Sequence, residues 1–72
     1  MPPDLPRISG AEAVRRLERL GFVKARQKGS HVILRRGASG CVVPLHRELK
    51  LGTLANVLKQ AGVDAAEFRD AD

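Results

Sequence analysis

Phe22-Val23-Lys24-Ala25-Arg26-Gln27-Lys28-Gly29-Ser30-His31-Val32-Ile33-Leu34-Arg35-Arg36-Gly37-Ala38-Ser39-Gly40-Cys41-Val42-Val43-Pro44 decides the fold. From Phe22 the apolar period is two. Val23 and Ala25 alternate with Lys24, Arg26 and Lys28, the pattern of a strand with one wet, basic face. Gly29-Ser30 is a turn dipeptide of hairpin size. Residues 31–36 predict the next strand, with Val32 and Leu34 on one face and His31, Ile33 and Arg35 on the other. Residues 37–40 predict a second hairpin loop and residues 41–44 a short third strand. Pro44 has no N–H to give a ladder, so it ends that strand or lies on a sheet edge.

On the N-terminal side the period is helical. Ser9 has the features of an N-cap, with Glu12 three positions on to complete a capping box. Ala13, Val14, Leu17, Leu20 and Gly21 fall on one stripe, while Arg15, Arg16 and Arg19 point elsewhere. Gly21 supplies a left-handed stop, so the first helix covers residues 10–20. Before it, Pro2, Pro3 and Pro6 and the lack of periodicity predict a flexible arm over residues 1–8. On the C-terminal side, residues 46–51 read as a polar connection. A helix from about Gly52-Thr53 then places Leu54, Val57, Leu58 and Ala61 on a buried stripe. Gly62 ends it, and Asp64 with Glu67 opens one or two further turns that tuck Phe68 onto the body. The expected fold is a two-layer α+β domain, α-β-β-β-α, over residues 9–72. Its three-stranded antiparallel sheet has both helices on one face.

If Val23, Ala25, Val32 and Leu34 face the helices, the open face carries Lys24, Arg26, Lys28, His31, Ile33 and Arg35. Charge points the same way. The 72 residues carry a net +5, with a sequence pI near 10.4. Residues 1–36 hold nine basic groups against three acidic ones, and residues 37–72 hold four against five. The positive field therefore belongs to the first half, and an anionic partner suits it. A chain of this size forms one domain that buries only about 60% of its unfolded surface. No apolar run is long enough for a membrane helix and no secretory signal opens the chain. The lone cysteine, Cys41, excludes an internal disulfide and fits a cytoplasmic address; it reads as a small core residue. His31, Cys41 and His46 lack the spacing of a metal site, so no metal or cofactor is expected.

Arg26-Gln27-Lys28-Gly29-Ser30-His31, then Val43-Pro44 and His46, then Gly52-Thr53-Leu54 and Leu58-Lys59-Gln60-Ala61-Gly62, form an ordered series from about Ser9 to Val63. This series resembles the HicA family of bacterial toxins, the mRNA interferases of HicA–HicB toxin–antitoxin modules. The resemblance implies a fold like that of a double-stranded-RNA-binding domain and ribosome-independent cleavage of mRNA. It also implies a HicB-type antitoxin that covers the active face. The family's catalytic histidine follows the glycine-serine pair, and that role carries over to His31.

Cleavage through the ribose 2′-hydroxyl needs a base to take its proton, an acid for the leaving oxygen, and positive charge around the phosphorus. Histidine performs either proton transfer near neutral pH. His31 is therefore the expected base. Lys28 and Arg35 are the expected phosphate ligands, and Arg26, Lys24, Ser30 and His46 are further RNA contacts. Phe22 and Phe68 read as core and there is no Trp or Tyr, so phosphate contacts rather than stacking should dominate affinity. Ile33 is apolar on the open face and is expected, with His31, to meet the antitoxin. The free protein is expected to be a monomer. The alternative reading is a non-catalytic RNA-binding or protein-interaction module that uses the same basic face.

Overall fold

The computed structural model describes residues 5–72. Two tight hairpins build the sheet. β1 (Val23–Lys28) and β2 (His31–Arg36) are joined by Gly29-Ser30, and β2 and β3 (Ser39–Pro44) by Gly37-Ala38. Gly29 and Gly37 each have φ of +59°, while no non-glycine residue has positive φ. Positive φ confined to the first turn position is the type II′ arrangement, whose twist matches that of the flanking strands. β3 thus starts two residues earlier than expected, because a two-residue turn takes the place of a four-residue loop. The sheet is antiparallel throughout, in the order β1-β2-β3.

α1 (Gly10–Arg19) precedes the sheet, and α2 (Leu51–Ala61) and α3 (Ala65–Asp70) follow it. The expected α-β-β-β-α order is present, with α3 as the short C-terminal turn. Ser9 caps α1 by accepting from the Glu12 amide at 3.0 Å, and Asp64 caps α3 by accepting from the Glu67 amide at 2.8 Å. Each is half of a capping box, since the Glu12 carboxylate turns instead to Arg15 and Arg16. α2 starts at Leu51, ahead of the expected Gly52-Thr53, and its N-cap Lys50 makes no side-chain cap. It ends at Gly62, which is left-handed at φ +72°.

One core lies between the sheet and the helices. Val32 and Leu34 of β2 and Cys41 and Val43 of β3 meet Ala13, Val14 and Leu17 of α1. Leu54, Val57, Leu58 and Ala61 of α2 close it, with Phe22, Leu49, Val63 and Phe68 from the connections and α3. The two long helices therefore cover one face of the sheet, as expected. Three details differ. Leu49 is buried, so residues 46–51 are not simply a polar connection. Arg16 is also buried, because its guanidinium lies 5.5 Å over the Phe68 ring and bonds Glu12 at 3.1 Å. Of the expected arm, residues 1–4 lie outside the described residues, but Leu5 and Ile8 pack against the core. The segment beside them is tied to the loop after β3. Leu49 N–H donates to the Ile8 carbonyl at 2.8 Å, and Gly10 N–H to the His46 carbonyl at 2.9 Å.

β1 departs most from its sequence pattern. All six of its residues are exposed, with Val23 at 67%. The helices lean on β3, and β1, at the far edge, makes its main contacts with β2. A bulge between Lys24 and Arg26 also leaves Ala25 without a partner. Val23 and Ala25 are therefore not covered by helices. The described residues contain no helix long and apolar enough to cross a membrane.

Candidate nucleic-acid interface

Directly opposed residues of an antiparallel pair share a face, so the register assigns each expected site residue. His31 lies opposite Lys28 on one side and Pro44 on the other; Ile33 opposite Arg26 and Val42; Arg35 opposite Val23 and Gly40. The open face thus brings together Arg26, Lys28, His31, Ile33 and Arg35, five of the six residues expected there. Lys24 is the exception. It pairs with the buried Leu34, so the bulge sends it to the helix side of the sheet and replaces it with Val23. No strand contains an aspartate or glutamate.

Where the other cations go sharpens the picture. Arg7 pairs with Glu48 at 3.3 Å, and Arg15 and Arg16 share Glu12 at 2.7 and 3.1 Å. These two guanidiniums, Arg15 first, hold the Glu12 carboxyl below its ordinary range. Arg16 also reaches Asp72 at 3.7 Å, and Arg19 donates to the Ala71 carbonyl at 3.4 Å. Arg36 donates to the Leu20 carbonyl at 2.8 Å and lies 4.5 Å over the Phe22 ring. These arginines hold α1 to the chain's C-terminal end and to the sheet. Among the described residues, Arg26, Lys28 and Arg35 have no ion-pair partner. The positive field of the first half therefore divides into a structural set and an uncommitted set, and the uncommitted set, Lys24 apart, shares the open face with His31.

His46 reaches the same end of the sheet by a backbone link. Leu45 N–H donates to the Ser30 carbonyl at 2.7 Å, so His31 and His46 each lie one residue from that bond. Both imidazoles, and Ser30 in the turn, are exposed. Gly10 sets this placement, since its missing side chain lets α1 rest on the backbone of Pro44 and Leu45. Cys41 is on the other face, opposite Leu34, and cannot meet His31. Burial pushes its thiol up to about 11. No group of three His, Cys, Asp or Glu side chains among the described residues could hold a metal ion.

Beyond Arg35 the open face dips into a groove of about 340 Å³, lined by Ile33, Arg35, Gly40, Val42 and Gln60 among others. Gln60 was not legible as a surface-forming residue. It lies in α2, and only its hydrogen bond to the edge of β3 brings it to the open face: its Oε1 accepts from Val42 N–H at 3.2 Å.

The model of the HicA toxin family of bacterial toxin–antitoxin systems matches residues 10–63. That span runs from the first residue of α1 to the residue after the α2 stop, and so holds the whole sheet and its basic face. This chain belongs to the HicA toxin family. It is accordingly the toxin type of chain in a toxin–antitoxin module. A comparison with curated proteins gives no match. Within this HicA chain, the glycine-serine-histidine motif is the β1–β2 turn and the first residue of β2, a position that exposes the histidine without loosening the sheet.

Proposed function

We propose that this HicA chain is an endoribonuclease that cleaves mRNA at the open sheet face, with His31 as the acid–base group. The observation that carries this is an exposed histidine on an acid-free face shared with three cations that have no ion-pair partner among the described residues. In the step, His31 takes the proton of a ribose 2′-hydroxyl, and the freed oxygen attacks the adjacent phosphorus. The bond to the 5′-oxygen breaks, a cyclic 2′,3′-phosphate forms, and the leaving oxygen takes a proton from an acid. His46, at the same end of the sheet, is the candidate for that acid. Lys28, opposite His31, stabilises the growing phosphoryl charge as a point charge, and Arg35, four residues along β2, holds a neighbouring phosphate through its guanidinium fork. Arg26 and Ser30 extend the backbone contacts. Lys24 is left out of the phosphate set because of its register.

Covering the face is the simplest way to silence such an enzyme. A HicB-type antitoxin would meet His31 and the half-buried Ile33, an apolar side chain set among cations.

The test is cleavage of a defined single-stranded RNA in the presence of chelator by wild type and His31→Ala. His31 is exposed, so the variant should keep its fold, which circular dichroism checks. Wild type should cut and His31→Ala should be slower by about 10²–10⁴-fold. Equal rates would overturn the assignment. Retained RNA binding with no cleavage by either protein would instead favour a non-catalytic RNA-binding module.

A further inference from the structure

The groove beside Arg35 has a composition that backbone contacts alone do not explain. Its floor is apolar, from Ile33 and the 40%-exposed Val42. Its wall holds one cation, Arg35, whose side chain lies across Gly40: a Cβ built there would meet Arg35 Nη1 at 3.7 Å. Its far wall is the Gln60 amide. That amide is oriented, because Oε1 is occupied by Val42 N–H. The Oε1 of Gln60 is thus turned to the strand edge, and the Nε2 donors are what the groove receives. A flat apolar floor, an oriented donor and a phosphate-binding cation are the parts of a nucleobase subsite.

We propose that this groove binds a base of the RNA strand held by the open face, and that Gln60 selects bases with a keto oxygen at purine C6 or pyrimidine C4 over bases with an amine at that position. The selection follows from what each base displays. Guanine and uracil present acceptors where adenine and cytosine present amino donors, and a donor facing a donor is repelled. The subsite lies on the same strand face as the proposed cleavage centre. Ile33 is two residues from His31 and Arg35 four, about 7 and 13 Å along β2. A strand with its phosphate at His31 and Lys28 therefore carries a neighbouring base to Ile33 and Val42. This rests on the RNA reading above and adds a specificity determinant to it.

The test uses the intact chain and 2′-O-methyl hexauridylate and hexacytidylate, which lack the reactive hydroxyl and differ on the base edge at position 4, keto oxygen against amine, and at N3, N–H against bare nitrogen. Affinities are measured at fixed salt, with amide and side-chain resonances followed by NMR. Wild type should bind the uridine oligomer about two- to tenfold more tightly, the worth of one hydrogen bond. The Val42 amide and the Gln60 side chain should shift. Gln60→Ala should bring the two affinities together. Gln60→Glu keeps an acceptor for Val42 N–H but turns the free end into an acceptor, so it should invert the ratio in favour of cytidine. Gln60 is exposed, and melting curves confirm that both variants stay folded.

Binding of both oligomers through Lys28 and His31, with no preference or with one that Gln60→Glu leaves unmoved, would overturn the subsite and leave the RNA reading standing. Absence of binding by either oligomer would remove both. If the preference persists and Gln60→Glu instead loses only the antitoxin, the groove is a protein-docking surface and the assignment fails.

Discussion

Replacing Gly10 with Ala sets helix propensity against a close approach. Propensity favours the change, since alanine is better than glycine by about 1 kcal/mol in a helix interior and by less at a first position. The packing opposes it. A Cβ on Gly10 would run into the Pro44 carbonyl oxygen and come within 2.9 Å of Leu45 Cα. Every one of these atoms is backbone, so no side-chain rotation relieves the contact. α1 has to back away from the end of β3, and the 2.9 Å bond from Gly10 N–H to the His46 carbonyl stretches with it. Overpacking of this kind costs about 1–3 kcal/mol and a lost hydrogen bond about 1 more. After the propensity gain the net destabilisation is about 1–3 kcal/mol, a fall in Tm of roughly 5–20 °C for a domain of this size.

Urea denaturation and thermal melts measure this, and the Leu45, His46 and Leu49 amides should show the largest chemical-shift changes. Gly52→Ala is the internal control. Gly52 is exposed in α2 and a Cβ there meets nothing within 4 Å, so this variant should gain up to about 1 kcal/mol. A Gly10→Ala protein as stable as wild type would refute the claim that contact between α1 and the 44–46 segment sets the end of the sheet where His31 and His46 lie.

Two further outcomes test the charge assignment. With Arg26, Lys28 and Arg35 as the phosphate contacts, log K for single-stranded RNA should fall with log salt at a slope of about −2. Lys28→Ala should reduce that slope by about 0.7, while Lys24→Ala should leave it unchanged because the bulge puts Lys24 on the other face. Glu12 titrates below its ordinary value of 4.5 because Arg15 and Arg16 bond its carboxylate. A depressed folded-state pKa gives stability that is present above the unfolded value and lost as pH falls through the folded one. Glu12→Gln should therefore be less stable than wild type at neutral pH, and the gap in urea midpoints should narrow as the solution is acidified below 4.5.

The elements were legible where one local rule sufficed. Gly29-Ser30 marks its turn because a first-position glycine takes positive φ without strain; Gly37 marks the second turn for the same reason, but the sequence reads that turn two residues too long. Ser9 and Asp64 mark helix starts because a short oxygen side chain satisfies an amide otherwise left bare. Illegible were the features created by tertiary approach. The bulge at Ala25 has no compositional signature: Val23-Lys24-Ala25-Arg26-Gln27-Lys28 alternates well enough to pass for a regular strand, and one unpaired residue reverses the face of everything before it. Arg16 reads as a solvated cation on its own helix and is buried only because α3 brings Phe68 across it. The candidate site divides along the same line. His31, Lys28, Arg26 and Arg35 follow from period two on a single hairpin, whereas Gln60 joins them from a helix distant in sequence.

The uncommitted cations have a consequence for stability that favours a functional origin. Arg26 and Lys28 lie on one face of an exposed edge strand, with Arg35 beside them on β2 and no acidic residue in the sheet. Their mutual repulsion opposes folding in a domain too small to have much stability in reserve. Of the acidic groups that could have relieved it, Glu12, Glu48 and Asp72 are bound to the arginines of α1 and the N-terminal segment, and Asp64 caps α3. Stability alone would draw such charges apart or mix their signs. A face that keeps them together is better explained by an anion that binds there, and any ligand that prefers the folded state adds its binding free energy to that state. RNA does this through its phosphates. A protein that covers the face with carboxylates would do the same, so the charge pattern suited to cleavage is also the pattern an acidic antitoxin surface can close over and stabilise.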